Sequence, residues 1–335
     1  MNNKKLLNIE NLKISFFTPA GEVKAVDGIS YELNHGEVMG IVGESGSGKS
    51  VEAYSIMGLL QSPGKVVGGS IVFDGEEVLE KTEKEMQDFR GNSVSMIFQN
   101  PMTCLNPVYT IGNQLVEAVR VHKKISMGEA RDKAIEMLKL VGINNPERRM
   151  RQYPHELSGG MRQRVMIAMG LICDPKMLIA DEPTTALDVT IQAQIIELMK
   201  EIQKKTGMAI IFITHNLGVV AEICDRVSVM YAGKIVEQGS VNDIFYNSKH
   251  PYTLGLLRSM PRVDAEDYER LIPIEGSPVD MLNPPEGCSF GPRCEHCMKI
   301  CLRKEPPKID LGNNHMSACW LLSEEMKKEV KISEQ

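Results

Sequence analysis

What the chain lacks narrows it quickly. Nowhere in its 335 residues is there a run approaching roughly 18 consecutive apolar residues, so no membrane-spanning helix is expected. Basic residues are not in excess. Lys and Arg total 38 against 44 Asp and Glu, a formal net charge of −6, which gives no electrostatic footprint for nucleic acid. The opening run Met1–Leu7 turns polar again at once and has no signal-peptide core, so a cytoplasmic location is expected, with docking onto a membrane protein still open to it. Cysteine is sparse over most of the length, with only Cys104, Cys173 and Cys224 before residue 288. No internal repeat or low-complexity tract stands out.

What is present is ordinary in bulk and specific in detail. Hydrophobic content of 42% and charge of 24% suit a globular protein, and the length suits two or three compact units. Short apolar, β-branched runs alternate with helical patterns, which predicts an α/β core. Val38–Val42, Lys176–Asp181 and Ala209–Thr214 read as strands, the last two as central strands covered on both faces. In open α/β sheets ligands sit beyond the carboxyl ends of the strands.

Residues 43–50 read Gly-Glu-Ser-Gly-Ser-Gly-Lys-Ser, which fits G-x-x-x-x-G-K-[ST] at Gly43, Gly48, Lys49 and Ser50. A strand precedes the run, and Val51–Met57 can be helical, so the pattern has the context it needs. Glycines let successive backbone N–H groups turn inward on a phosphate chain, and the helix N-terminus adds partial positive charge. Lys49 can reach the β- and γ-phosphates, and the Ser50 hydroxyl can ligate Mg²⁺. A Gly/Ser turn carrying a lysine by chance is the plainer alternative.

Further along, Met177–Ala180 is apolar and ends in Asp181 and Glu182. Asp181 suits Mg²⁺ and Glu182 suits polarising a water for attack on the γ-phosphate, although a strand closed by an acidic cap is common. Leu157-Ser158-Gly159-Gly160 leads into a helical pattern and offers an anion a hydroxyl, backbone N–H groups and a helix N-terminus. A second phosphate-seeking turn in one chain suggests service to nucleotide held by another subunit.

Taken in order, Gly43–Ser50, Gln99, Leu157–Gln163, Asp181-Glu182, Ala186-Leu187-Asp188 and Thr214-His215 resemble the Walker A, Q-loop, signature, Walker B, D-loop and H-loop of the ATP-binding cassette ATPases. The resemblance covers roughly residues 8–245. It implies a P-loop NTPase (RecA-like) core with an antiparallel β subdomain over 1–100 and 167–245, a helical signature subdomain over 101–166, and a small loop-rich extension over 246–335. It implies that ATP is bound by Gly43, Ser45, Gly46, Ser47, Gly48, Lys49, Ser50 and Val51. Phe16, or Phe17 in its place, would stack on adenine. Ser50, Gln99 and Asp181 would hold Mg²⁺, and Glu182, His215, Gln99 and Lys49 would be catalytic. Ser158, Gly160 and Asp188 would act across a head-to-tail pair of cassettes.

The tail narrows the resemblance. His250-Pro251-Tyr252-Thr253, Pro284–Cys288, Phe290-Gly291-Pro292-Arg293-Cys294 and His315–Cys319 are similar to the C-terminal segment of peptide- and nickel-importer ATPases. The resemblance implies an ATPase that powers import of di- or oligopeptides, with nickel or another small solute as the alternative cargo. The implied partners are a second ATPase subunit (a homologue or the same chain), two transmembrane permease subunits and an extracytoplasmic peptide-binding protein. Such a subunit sits peripherally on the cytoplasmic face of the membrane. A soluble repair ATPase is disfavoured because only 108 residues lie between Lys49 and Ser158, too few for a long coiled-coil insert.

Prolines at 251, 261, 273, 278, 284, 285, 292, 306 and 307 disfavour long helices and inner strands in this tail. The tail has little apolar material to fold around, and such a fold benefits from a staple. Cys288, Cys294, Cys301 and Cys319, spaced C-x5-C-x6-C-x17-C, match the family's tail pattern and imply a [4Fe–4S] cluster, with Zn²⁺ as the alternative. Cys297 departs from the pattern and creates a Cys-x-x-Cys pair with Cys294; His296 and His315 are further candidate ligands.

Overall fold

The computed structural model describes residues 5–99, 104–185, 187–260 and 272–324. The chain sorts into two compact units: Met1–Leu7, Leu33–Val38 and Phe73–Ile213 form one, and Asn8–Glu32, Met39–Val72 and Thr214–Gln335 form the other.

The first unit is built on three parallel strands. β6 (Val94–Ile97) pairs with β7 (Met177–Asp181), Val94 opposite Met177. β7 pairs in turn with β8 (Ala209–Thr214), Met177 opposite Ala209. Every residue of all three is buried, as continuous apolar runs covered on both faces require. The helices around them begin where the sequence offers caps. Ser126 accepts from Glu129 N–H while the Glu129 carboxylate accepts from Ser126 N–H, a capping box that starts Met127–Leu140. Ala130, Ala134, Met137 and Leu138 form the buried stripe of that helix.

In the second unit β3 (Val38–Val42) runs parallel to β9 (Arg226–Tyr231), and β9 pairs antiparallel with β10 (Lys234–Ser240). A separate sheet holds β1 (Lys5–Thr18) between β2 (Gly21–Asn34) and β4 (Gly64–Phe73). The C-terminal segment does not simply loop over this unit. β12 (His315–Ala318) pairs antiparallel with β10, Glu237 opposite Ser317, and β11 (Lys308–Gly312) pairs with β12. β12 is thus an inner strand, contrary to what the proline density implied. The prolines stop at Pro307, so β11 and β12 keep every ladder N–H.

The tail adds Tyr252 and Phe290 to the apolar core of the second unit. Tyr252 and Phe290 pack with Val229 and Tyr231 of β9, and the three rings stand 4.7–5.3 Å apart between centroids. Beneath them the fully buried Glu237 carboxylate accepts from Lys249 N–H at 2.6 Å and His250 N–H at 3.1 Å, and meets His315 Nε2 at 3.0 Å. A buried acid with three partners fixes where the tail joins the sheet. Among the described residues, no helix is long and apolar enough to cross a membrane.

Candidate active site

The loop after β3 is shaped by its glycines. Gly43, Gly46 and Gly48 have φ of 157°, 79° and 100°, and a Cβ on Gly43 or Gly48 would strike the carbonyl of Met230 or Ala25. At Gly46 a Cβ would meet nothing within 4 Å, and Ser45 and Gly46 are exposed, so the loop is open on that side. The chain then enters the helix Lys49–Ile56, whose N-cap Gly48 supplies no side-chain cap. The first turn of such a helix, with its N–H groups and the positive end of its dipole, is the kind of place an anion favours. Lys49 is folded into the loop, its ammonium donating to the carbonyls of Gly43 and Glu44, both at 2.8 Å, and to Ser47 Oγ at 3.3 Å. Ser50 and Val51 lie half-buried in the first helical turn. A buried cation, inward N–H groups and an open glycine suit a phosphate chain.

Phe16 and Phe17 part company on β1. The Phe16 ring lies against Gly64, whereas Phe17 is 47% exposed. His215, directly after β8, is exposed.

In the first unit β7 delivers Asp181 and Glu182. Asp181 is 1% exposed and Glu182 adopts φ +46°, a left-handed conformation rare for a glutamate. Its N–H donates to Ile213 O at 2.9 Å, and its carboxylate accepts from the Gln99 amide at 2.8 Å and from Thr185 Oγ1 at 2.9 Å. Strain of this kind persists where the surroundings over-determine it, and it gathers at functional sites. The structure thus brings Gln99 and Glu182 together, as their shared chemistry requires.

Ser158 caps the helix Gly159–Leu171, its Oγ accepting from Met161 N–H at 3.4 Å, and it remains exposed. Gly160 faces Ile191 so closely that a Cβ would lie 2.8 Å from it. Asp188 caps the helix Val189–Thr206 through Ile191 N–H at 3.0 Å. Ala186, and Asn100 and Pro101 beside Gln99, lie outside the described residues. The oxygen donors Ser50, Gln99 and Asp181 are of the hard kind that Mg²⁺ takes.

Cys288, Cys294, Cys301 and Cys319 all lie in the second unit, and Cys288 N–H donates to Cys301 O at 2.7 Å. Burial, then the neighbouring charges of Cys288, Cys294 and Cys301, push the Cys319 thiol up to about 11, and Cys294 is raised likewise to about 11. Yet among the described residues no group of three or more His, Cys, Asp or Glu side chains could hold a metal ion. Cys297 and His296 are exposed, and His315 is held by Glu237 instead of facing the thiols.

Sequence reasoning also passed over Glu44. Its carboxylate is paired at two points by Arg293, at 2.6 and 3.0 Å, and its N–H donates to the Tyr252 hydroxyl at 2.9 Å. An acid inside a phosphate loop was the available signal.

A phosphate loop between strand and helix, in a chain that also carries an apolar strand tipped by two acids, defines a P-loop NTPase. Comparison with known proteins refines that class. The ABC transporter family model matches residues 26–185, and the model for the oligopeptide/dipeptide transporter C-terminal region matches residues 236–301. The oligopeptide transport ATP-binding protein OppD of Bacillus subtilis is 54% identical over 319 residues, 95% of this chain and 89% of that one. Its counterpart OppD in Escherichia coli is 50% identical over 321 residues, 96% of this chain and 94% of that one. A solved structure of cbiO1 from Clostridium perfringens, part of an ABC transporter complex, is 32% identical with a TM-score of 0.63, covering 72% of this chain and 90% of that one. A dimeric ATP-binding cassette solved in a post-hydrolysis state with ADP and Pi is 25% identical with a TM-score of 0.63, covering 70% of this chain and 98% of that one. The chain belongs to the ATP-binding cassette transporter ATPases, in their oligopeptide and dipeptide branch. It is an ATPase of that family, with an α/β fold of the P-loop NTPase type.

Proposed function

We propose that the chain is the ATP-hydrolysing subunit of an importer of di- and oligopeptides, working as one of a pair of cassettes on the cytoplasmic face of the membrane. The observation that carries this reading is the open glycine loop with Lys49 folded into it, in a chain whose tail matches the oligopeptide/dipeptide transporter region.

The roles follow from the chemistry of each group. The loop residues Gly43, Ser45, Gly46, Ser47, Gly48, Ser50 and Val51 and the Lys49 ammonium bind the triphosphate. Ser50, Asp181 and Gln99 hold Mg²⁺, which neutralises charge on the β- and γ-phosphates when bound. Glu182 accepts the proton of the attacking water, and the hydrogen bond from the Gln99 amide keeps its carboxylate aimed. His215 donates to the γ-phosphate. Phe16, or the more exposed Phe17, stacks on adenine. Ser158 and Gly160 cover ATP held by the partner cassette, and Asp188 helps join the two. ATP favours the closed pair because it is gripped from both sides, and loss of the γ-phosphate contact releases it. The other ATPase is a homologue, and two permease subunits carry the closure to a channel fed by an external peptide-binding protein. The clustered thiols Cys288, Cys294, Cys301 and Cys319 supply a donor set of the right chemistry for a [4Fe–4S] cluster or Zn²⁺.

The test is reconstitution with the natural membrane partners in vesicles. ATP hydrolysis and uptake of a labelled peptide are expected to rise together when the binding protein and peptide are supplied. Purified, assembled material that neither hydrolyses ATP nor takes up peptide overturns the reading.

A further inference from the structure

An acid stands inside the phosphate loop. Glu44 follows Gly43 directly, and an uncompensated carboxylate there repels the polyphosphate that the loop is built to hold. The C-terminal segment answers that charge. Arg293 reaches Glu44 with both terminal nitrogens, Nη1 at 2.6 Å and Nη2 at 3.0 Å, a two-point pairing that fixes the carboxylate in plane. The guanidinium is itself held. Its Nε donates to Glu275 O at 3.0 Å and Nη2 to Ile274 O at 3.4 Å, and it lies over the Tyr231 ring at 5.8 Å with its side chain only 4% exposed. A second contact from the same segment holds the backbone, where Glu44 N–H donates to the Tyr252 hydroxyl at 2.9 Å. Lys49 takes the Glu44 carbonyl at 2.8 Å. Ser47 N–H reaches the same carbonyl at 3.2 Å, so every polar group of Glu44 is engaged, two of the five bonds coming from Arg293 and one from Tyr252.

We propose that Arg293 is a positioning residue for nucleotide binding: by neutralising and orienting Glu44 it keeps the phosphate loop receptive, so that the C-terminal segment sets the ATP affinity of the loop. Tyr252, backed by Tyr231 and Phe290, carries the backbone half of the same clamp. Arg293 touches neither nucleotide nor reacting atoms and acts only through Glu44.

The inference rests on the nucleotide-binding reading of the loop, and the experiment separates the two. Full-length parent, Arg293→Met, Glu44→Gln and the double variant are compared for Mg·ATP affinity with a fluorescent ATP analogue, and for KM and kcat in the assembled transporter. Arg293→Met leaves the carboxylate bare, and affinity falls at least tenfold, with KM rising more than kcat falls. Glu44→Gln removes pair and repulsion together and loses less than threefold. The double variant recovers to within threefold of the parent, a rescue that a purely structural role for Arg293 does not give. Should Arg293→Met fail to fold, Arg293→Lys with and without Glu44→Gln carries the same comparison with a smaller initial loss. An Arg293 variant that binds like a binding-competent parent, or whose loss Glu44→Gln does not relieve, overturns the inference alone. A parent that does not bind Mg·ATP overturns the nucleotide reading beneath it.

Discussion

Gln99 and Glu182, 83 residues apart in the chain, are joined by a hydrogen bond in which the Gln99 amide donates to the Glu182 carboxylate at 2.8 Å. Thr185 Oγ1 donates to the same oxygen at 2.9 Å. Two neutral donors on one carboxylate orient it without protonating it, which is what a general base requires. Glu182→Gln keeps the shape and removes the base. Hydrolysis is expected to fall roughly 10²- to 10⁴-fold while Mg·ATP binding persists, trapping an ATP-loaded closed pair visible by size-exclusion chromatography. Parental turnover in that variant would remove Glu182 from the role.

Lys49 is buried, and its ammonium donates to Gly43 O, Glu44 O and Ser47 Oγ of its own loop. An ammonium already desolvated and pointed inward needs little reorganisation to exchange a carbonyl for a phosphate oxygen. Lys49→Ala removes a charge-assisted bond, so affinity for Mg·ATP should weaken roughly tenfold to a hundredfold. Isothermal titration measures this directly, and an unaltered affinity would show that the loop binds by its N–H groups alone.

Much of this was legible in local pattern, because local pattern is what decides it. The Val38–Val42 and Ala209–Thr214 strands were written as continuous apolar runs, and Ser126 announced its helix by capping chemistry. What escaped depends on partners far along the chain. Nothing near Arg293 in sequence names Glu44, 249 positions away. His315 looked like a spare ligand beside four cysteines, but its partner Glu237 lies on another strand. The proline count misjudged β12 because it averaged over a tail whose last prolines precede Lys308. The strained φ of Glu182 is invisible to any pattern of residue types.

The thiols make a contrasting case, since their chemistry depends on what they hold. In metal-free protein Cys294 and Cys319 stand near 11 and Cys288 is also raised, so at pH 8 they are protonated and slow to alkylate. Cys104 and Cys297 are exposed and should label first with iodoacetamide, as mass spectrometry of timed aliquots would reveal. Purification under anaerobic conditions then decides the occupant. Brown protein with iron and acid-labile sulfide in equal amounts establishes a cluster, colourless protein with stoichiometric zinc replaces it, and absence of both removes the metal.

His250 ties the helix Pro251–Arg258 to β12. Its Nδ1 accepts from Tyr252 N–H at 3.1 Å, and the ring also bonds the Ala318 backbone. Burial in this position pushes its pKa down from 6.5 to about 4. The unfolded chain therefore takes up a proton on His250 below about pH 6.5, whereas the folded chain resists until about pH 4. Between those limits the unfolded state binds more protons, so stability is fully present above pH 6.5 and declines as the pH falls. The loss from this one group approaches about 3 kcal/mol once the pH is below 4. His250→Asn keeps a capping acceptor for Tyr252 N–H but cannot titrate. It should cost some stability at pH 8 and then lose less than the parent between pH 6.5 and 4, so the two urea-denaturation curves converge on acidification. Parallel curves over that window would mean that His250 is not held neutral by the fold.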